Sequence, residues 1–367
     1  MRIGRDIARG VTLVVVVLAV LFVIGEIVCR LFIPDTRLRY VSDPEALYRL
    51  APNHVGTSVL ASGALAPPAR INTLGFRGGE PAAGRPSIVI LGDSFTFGSG
   101  VADDETFAAR LDQWYGGRVS VMNGGHPGYG VFQMAATLRR VGEELRPRLV
   151  VVVVWQGDFL RQPPDADERA RFMRRLQVFG ALKNSVLGTH LYRRMEPLLA
   201  QVGRASLVVR AGEGGGGSEA STASVREAHI RGVQADAPRL LAIHQEASRY
   251  GRGLLIVLWP KEDFASVPEA ERGLAQELTV VLEAFAQQHE VPFISMQPAM
   301  RRVTPKDRLL IPNDWHPTPL AHCLAAEQIG VALGGLGFPP LREGTCAYSS
   351  ASGDRHASRG AGGPPGT

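Results

Sequence analysis

From position 85 onward the chain alternates short apolar runs with longer amphipathic ones. Ile88–Leu91, Val119–Met122, Leu149–Trp155, Gly253–Trp259 and Pro292–Ser295 are mostly apolar and short, which predicts strands. Leu149–Trp155 (Leu-Val-Val-Val-Val-Val-Trp) has no charged position, so it predicts a central parallel strand covered on both faces. Between these runs, Asp104–Trp114, Val131–Leu145, Val225–Tyr250, Pro268–His289 and Pro319–Leu336 read as helices. Asp103 or Asp104 is the expected N-cap of the first, and Pro147 stops the second. Strand–helix alternation over about 250 residues predicts one α/β domain, 85–348, with a mostly parallel sheet and no internal repeat.

The two ends break this pattern. Val11–Gly25 carries no charge, and the apolar run continues to Ile33 with only Glu26 and Arg30 charged. As a helix, residues 11–33 reach about 34 Å, enough to span a bilayer, and Pro34 ends the helix. A cleaved leader needs a small-x-small site after the apolar core, and Glu26-Ile-Val-Cys-Arg30 supplies none. Ile27 and Val28 before Cys29 likewise argue against a lipoprotein site. The expectation is an uncleaved anchor after a short tail, 1–10. Arg2, Arg5 and Arg9 before it nearly balance Arg30, Arg37 and Arg39 after it. Because short N-terminal anchors usually export the domain behind them, the expected location is the inner membrane with the large domain outside the cytoplasm. Residues 34–84, rich in Pro, Gly and Ala, read as an extended juxtamembrane arm with one ordered piece, Arg70–Gly78. Residues 160–222 read as an irregular insertion containing the flexible run Gly214–Gly217, and 349–367 as a disordered tail.

Composition narrows the function classes. A 367-residue chain that is 45% hydrophobic and 20% charged is long enough for one large core with appendages. Its net charge of +5 comes from scattered Arg pairs, with no basic run interleaved with aromatics, so nucleic acid is not an expected partner. No Cys-x-x-Cys or His-rich cluster points to a metal, and no cofactor is called for. Of three cysteines, Cys29 lies in the anchor; Cys323 and Cys346 either pair in an exported domain or remain two unrelated thiols.

Four polar segments fall where predicted strands end or the last helix begins. They are Gly92-Asp93-Ser94, Asn123-Gly-Gly-His-Pro-Gly128, Gln156-Gly157-Asp158 and Asp314-Trp315-His316. Open α/β sheets place ligands beyond the carboxyl ends of their strands, which makes Ser94 a candidate nucleophile. Acyl transfer needs a base beside the serine, a group orienting the base, and donors for the developing oxyanion. An imidazole is suited to shuttle a proton at neutral pH, which makes His316 the candidate base, and Asp314 is placed to orient it. The backbone amides of Ser94 and Gly128 are the oxyanion candidates, glycine allowing close approach at 128.

These residues resemble the SGNH, or GDSL-type, hydrolases, and in particular their membrane-anchored bacterial members. The resemblance covers about residues 70–335 and rests on Gly92-Asp93-Ser94 with Phe95-Thr96-Phe97-Gly98. An upstream Asn72-x-x-Gly-Phe-Arg-Gly78 and a downstream Gly100-Val-x-x-x-x-Thr-Phe107 add to it. It implies a flavodoxin-like three-layer α/β/α sandwich and a Ser94–His316–Asp314 esterase or acyltransferase site, with Gly128 as the second block's glycine. The chain departs from the family at two places. Gly157 stands where the family carries an oxyanion Asn, leaving Gln156, one position away, as the nearest amide. Asn313 stands three residues before His316, where many members carry the Asp, so Asp314 is chosen at the shorter spacing.

Each of these residues also has a plainer role. Ser94 and Asp314 are turn or cap formers, and Asp158 is expected to stabilise a turn. His126 is expected on the surface or on a substrate wall, and His322 in packing or on the surface. Trp315 either lines the acyl pocket or covers the core. The leading expectation is a membrane-tethered serine esterase acting on acylated envelope glycans or lipid esters. One rival is an O-acyltransferase using the same serine; the other, motivated by the missing Asn, is a catalytically silent polymer-binding domain.

Overall fold

The fold is described by a computed structural model covering residues 2–32, 37–60, 63–173, 187, 222–259, 273–303, 306–312, 314–342 and 346. Most of the expected 160–222 insertion, with Gly214–Gly217, lies outside these residues, as do Asn313 and the tail 349–367. A first helix, α1 (Arg2–Phe32), contains Gly10–Cys29, with a mean hydropathy of 3.0 and no buried share. This is long and apolar enough to cross a membrane, and most of its apolar side chains from Val11 to Leu31 are exposed.

Five strands form one parallel sheet: β5 (Ser87–Gly92), β6 (Ser120–Gly125), β7 (Leu149–Val154), β8 (Leu254–Leu258) and β9 (Phe293–Ser295). Their spatial order is β6-β5-β7-β8-β9. The first strand in the chain is therefore second in space, which is the flavodoxin-like order with its switch point between β5 and β7. The register sets Ile90 against Asn123 on one side and against Val151 on the other.

Alternation along the strands divides the core into two layers. Ile88, Ile90, Val151, Val153, Leu255 and Val257 pack with α3 (Phe107–Tyr115), α7 (Gln297–Arg301) and α8 (Pro319–Gly335). Val89, Leu91, Val150, Val152, Ile256 and Leu258 pack with α4 (Val131–Leu145), α5 (Thr222–Ser248) and α6 (Leu274–Gln288). This is the expected α/β/α sandwich, and β7 is buried at all six positions because it feeds both layers. One cap differs from expectation. Asp103–Glu105 forms a 3₁₀ turn, and Thr106 caps α3 by accepting from Ala109 N–H at 3.2 Å. Cys323 and Cys346 form a disulfide, with Cα atoms 5.8 Å apart.

The described residues between α1 and β5 are more ordered than their Pro, Gly and Ala content predicts. β1 (Tyr40–Asp43) pairs with β2 (Leu47–Leu50), and β3 (His54–Gly56) pairs with β4 (Ala69–Ile71), both antiparallel. Leu50, Ala69 and Ile71 close over Phe97 in a small core of their own. Apolar residues at scattered positions anchor this arm, a pattern too short to stand out as periodicity.

Arg77 nails the arm to the domain. Its side chain is 2% exposed, pairs with Asp103 at 2.7 Å, and donates to the carbonyls of Phe97, Gly98 and Val101 at 2.6–2.9 Å. Burial pulls its guanidinium down from the usual arginine value, while Asp103 opposes the shift. Arg77→Met leaves those acceptors without a donor and should lower stability by about 3 kcal/mol. Urea unfolding of both forms checks this, and a loss under about 1 kcal/mol contradicts the role.

Candidate active site

The carboxyl end of β5 turns sharply into α2 (Ser94–Phe97), a single helical turn. A Cβ on Gly92 would lie 2.0 Å from Thr96 Oγ1 and 2.8 Å from the Val153 carbonyl, so only glycine fits. Gly98 ends the turn at φ +83°, and its N–H donates to the Ser94 carbonyl. Ser94 thus sits at the switch point, between the ends of β6 and β7.

The Asp93 carboxylate is the hub of this corner. Its Oδ1 accepts from Phe95 N–H at 2.9 Å, which caps α2. Its Oδ2 accepts from the Trp155 indole N–H at 2.7 Å and from the Arg161 guanidinium and the Ser94 hydroxyl, each at 3.3 Å. Arg161 also bonds Asp158 at 2.6 Å and the Tyr129 carbonyl at 2.8 Å. Two buried carboxylates therefore share one cation. Burial, with Asp93 beside it, pushes the Asp158 carboxyl well above its ordinary range against the pull of Arg161. Asp158 also accepts from Trp155 N–H at 3.1 Å, the turn-stabilising role expected of it.

His316 and Asp314 meet as a pair. His316 Nδ1 lies 2.6 Å from Asp314 Oδ1, which also accepts from His316 N–H at 2.8 Å. The two-residue spacing lets one carboxylate oxygen bind both the ring and the backbone of the same histidine. The Asp314 side chain is fully buried. His316 Nε2 is buried with no hydrogen-bond partner among the described residues. The imidazole packs against Trp315 and edge-on to Phe95, with ring centroids at 4.2 and 6.0 Å. Phe95 follows Ser94 in the chain, and the Ser94 hydroxyl itself is bonded to Asp93. Trp315 is 38% exposed and contacts Phe95 and Trp155, at the edge of the core and beside His316.

Gly128 is at φ +82°, and a Cβ there would lie 2.7 Å from the Tyr48 hydroxyl. Among the described residues no acceptor takes the backbone N–H of Ser94 or Gly128. At Gly157, where the family resemblance places an Asn, a Cβ would lie 2.3 Å from Trp155 Cζ2. The Trp155 indole fills the space an Asn side chain would need, and its N–H is committed to Asp93. Gln156, adjacent, is buried.

Two histidines lie elsewhere than a surface. His126 is fully buried and stacks on Tyr129 with ring centroids 4.5 Å apart; burial pulls its imidazole down to about 4. His322 is fully buried against Phe107, and burial pulls it down to about 3. Arg161 and Trp155 went unrecognised in the sequence because neither belongs to a quoted motif. Their one signal is that they flank Gln156-Gly157-Asp158.

A doubly wound sheet of this order places the protein among the α/β folds of flavodoxin-like topology, with a serine hydroxyl at the switch point. The chain belongs to the GDSL-like lipase/acylhydrolase family, whose profile matches residues 90–324, and it is a hydrolase acting on ester bonds. No curated protein matches it in sequence. It is similar to a crystal structure of TesA at 15% identity and a TM-score of 0.40, covering 68% of this chain and 99% of that one. It is also similar to a lipase/acylhydrolase from Enterococcus faecalis, at 17% identity, 68% and 96% coverage and a TM-score of 0.37. A catalytic mutant of Axe2, an acetylxylan esterase from Geobacillus stearothermophilus, matches at 14% identity, 72% and 100% coverage and a TM-score of 0.36.

This packing has two testable outcomes. Gly157→Asn, which restores the family residue, should overpack against Trp155, lowering stability by about 1–3 kcal/mol without raising ester turnover. Thermal melts and turnover of the variant check both halves. The buried neutral His126 makes stability depend on pH, because the unfolded chain binds a proton near 6.5 and the folded one only near 4. Stability should therefore fall as pH drops from 6.5 toward 4, by on the order of 3 kcal/mol for this residue. His126→Gln should flatten that slope, read as unfolding free energy against pH.

Proposed function

We propose that the chain is a membrane-tethered serine esterase in which Ser94, His316 and Asp314 act as nucleophile, base and orienting group. The observation that carries this reading is the His316–Asp314 pair. It supports a proton on Nδ1 and a buried, unpartnered Nε2 as the acceptor. A rotation about the Ser94 side chain exchanges its long bond to Asp93 for one to Nε2. Loose alignment of this kind is common before substrate binds. Ser94 then attacks the ester carbonyl as His316 takes its proton. The backbone N–H groups of Ser94 and Gly128 receive the oxyanion. His316 returns the proton to the departing alcohol, and water, activated by the same imidazole, releases the acid. None of these steps calls for a cofactor.

Beside Gly128 lies an open groove of about 470 Å³, walled by Tyr48, Phe132, Gln133, Arg161, Gln162 and Phe172. Rings alternating with polar groups favour an acylated glycan as substrate over a purely apolar lipid ester. The α1 helix supports anchoring in the inner membrane, and the Cys323–Cys346 disulfide supports an oxidising, extracytoplasmic setting for the domain.

Hydrolysis of p-nitrophenyl acetate by the full chain in detergent tests the reading. Ser94→Ala and His316→Gln should each lower kcat by at least about 10³-fold, and Asp314→Asn by a comparable factor. Full activity in Ser94→Ala contradicts the assignment.

A further inference from the structure

Tyr48 stands on β2 of the juxtamembrane arm, outside the family-matched residues 90–324. Its hydroxyl donates to the Pro127 carbonyl at 3.0 Å. That carbonyl and the Gly128 N–H belong to one peptide group. In a trans peptide the C=O and N–H point in opposite directions, so a donor that pins the oxygen also aims the N–H. A hydrogen bond to the oxygen also polarises the group and strengthens its N–H as a donor. Burial pushes the Tyr48 phenol above its ordinary value, so the hydroxyl keeps its proton and donates at neutral pH.

The contact is part of a ladder between the arm and this loop. Tyr129 Oη donates to the Tyr48 carbonyl at 2.6 Å, and Gln133 Nε2 donates to the Ala46 carbonyl at 3.0 Å. Tyr48 packs edge-on to Tyr129 and Tyr40, with ring centroids at 5.5 and 5.7 Å. Leu47, at the turn before it, is held at φ +71°, a conformation that L residues rarely adopt. Strain of this kind persists only where the surroundings fix it.

We infer that Tyr48 is a positioning residue for ester hydrolysis, holding the Pro127–Gly128 peptide so that its N–H faces the developing oxyanion. The inference rests on the esterase reading above. It makes the membrane-proximal hairpin a working part of the site rather than a spacer. A residue of this kind affects the transition state and not ground-state binding.

The test compares wild type, Tyr48→Phe and Ser94→Ala, each as full chain in detergent, with p-nitrophenyl acetate. Phe keeps the ring contacts and removes one hydroxyl. Tyr48→Phe should lower kcat about tenfold with KM within about twofold and a melting temperature lowered by no more than about 4 °C. Its affinity for phenylboronic acid, which forms a tetrahedral adduct on a serine, should fall by the same factor as kcat. Wild-type kcat in Tyr48→Phe overturns the inference, as does a rise in KM at constant kcat. If Tyr48→Phe does not fold, 3-fluorotyrosine at position 48 keeps ring and hydroxyl and donates more strongly. It should raise kcat, and an unchanged kcat overturns the inference. If wild type and Ser94→Ala are equally inert, the esterase reading itself fails and this inference falls with it.

Discussion

One buried carboxylate holds the corner of the molecule where the sheet reverses its order. Asp93 follows the last residue of β5, caps α2 through Phe95 N–H, and draws in the Trp155 indole from the end of β7. Arg161 completes the arrangement, balancing Asp93 with one hand and Asp158 with the other. A carboxylate taken out of water needs several donors to be tolerated. Here those donors come from two chain segments, the serine turn and residues 155–161, and Arg161 reaches on to the Tyr129 carbonyl. Satisfying Asp93 therefore brings the serine turn, the third block and the Tyr129 loop into one rigid unit.

The consequences reach the apparent defect of the site. Once Trp155 bends back to donate to Asp93, its ring fills the volume beside residue 157, and only glycine fits there. The missing Asn is thus the other side of a packing choice, not an isolated loss. A side-chain donor gives way to an aromatic wall, built from Trp155, Phe95 and Trp315, against which His316 lies. In the proposed mechanism the oxyanion falls to backbone groups, whose aim depends on how firmly their loops are held. This is why the arm, through Arg77 and Tyr48, belongs to the same physical account as the sheet.

Much of this was legible in the sequence. Apolar runs marked every strand of the central sheet, most sharply β7, which is buried at all six positions and has no polar residue to blur it. Residues that share a block, such as Asp314 and His316, could be paired because local spacing determines their approach. The arm resisted reading because its strands are three or four residues long and its anchors are single side chains with distant partners. His126 looked like a loop residue because it lies in a Gly- and Pro-rich segment, yet that segment dives beneath Tyr129 and Phe76. The roles of Trp155 and Arg161 depend on contacts with Asp93, more than 60 positions away in the chain. No local pattern encodes such contacts.

The central claim is that the hydroxyl at this corner is the nucleophile. The most direct measurement is to treat the full chain with a fluorophosphonate and map the adduct by peptide mass spectrometry. The account predicts one stoichiometric adduct, on Ser94, formed at a rate that falls when His316 is replaced. An enzyme that turns over esters but carries its adduct on another residue, or stays unlabelled, would contradict it.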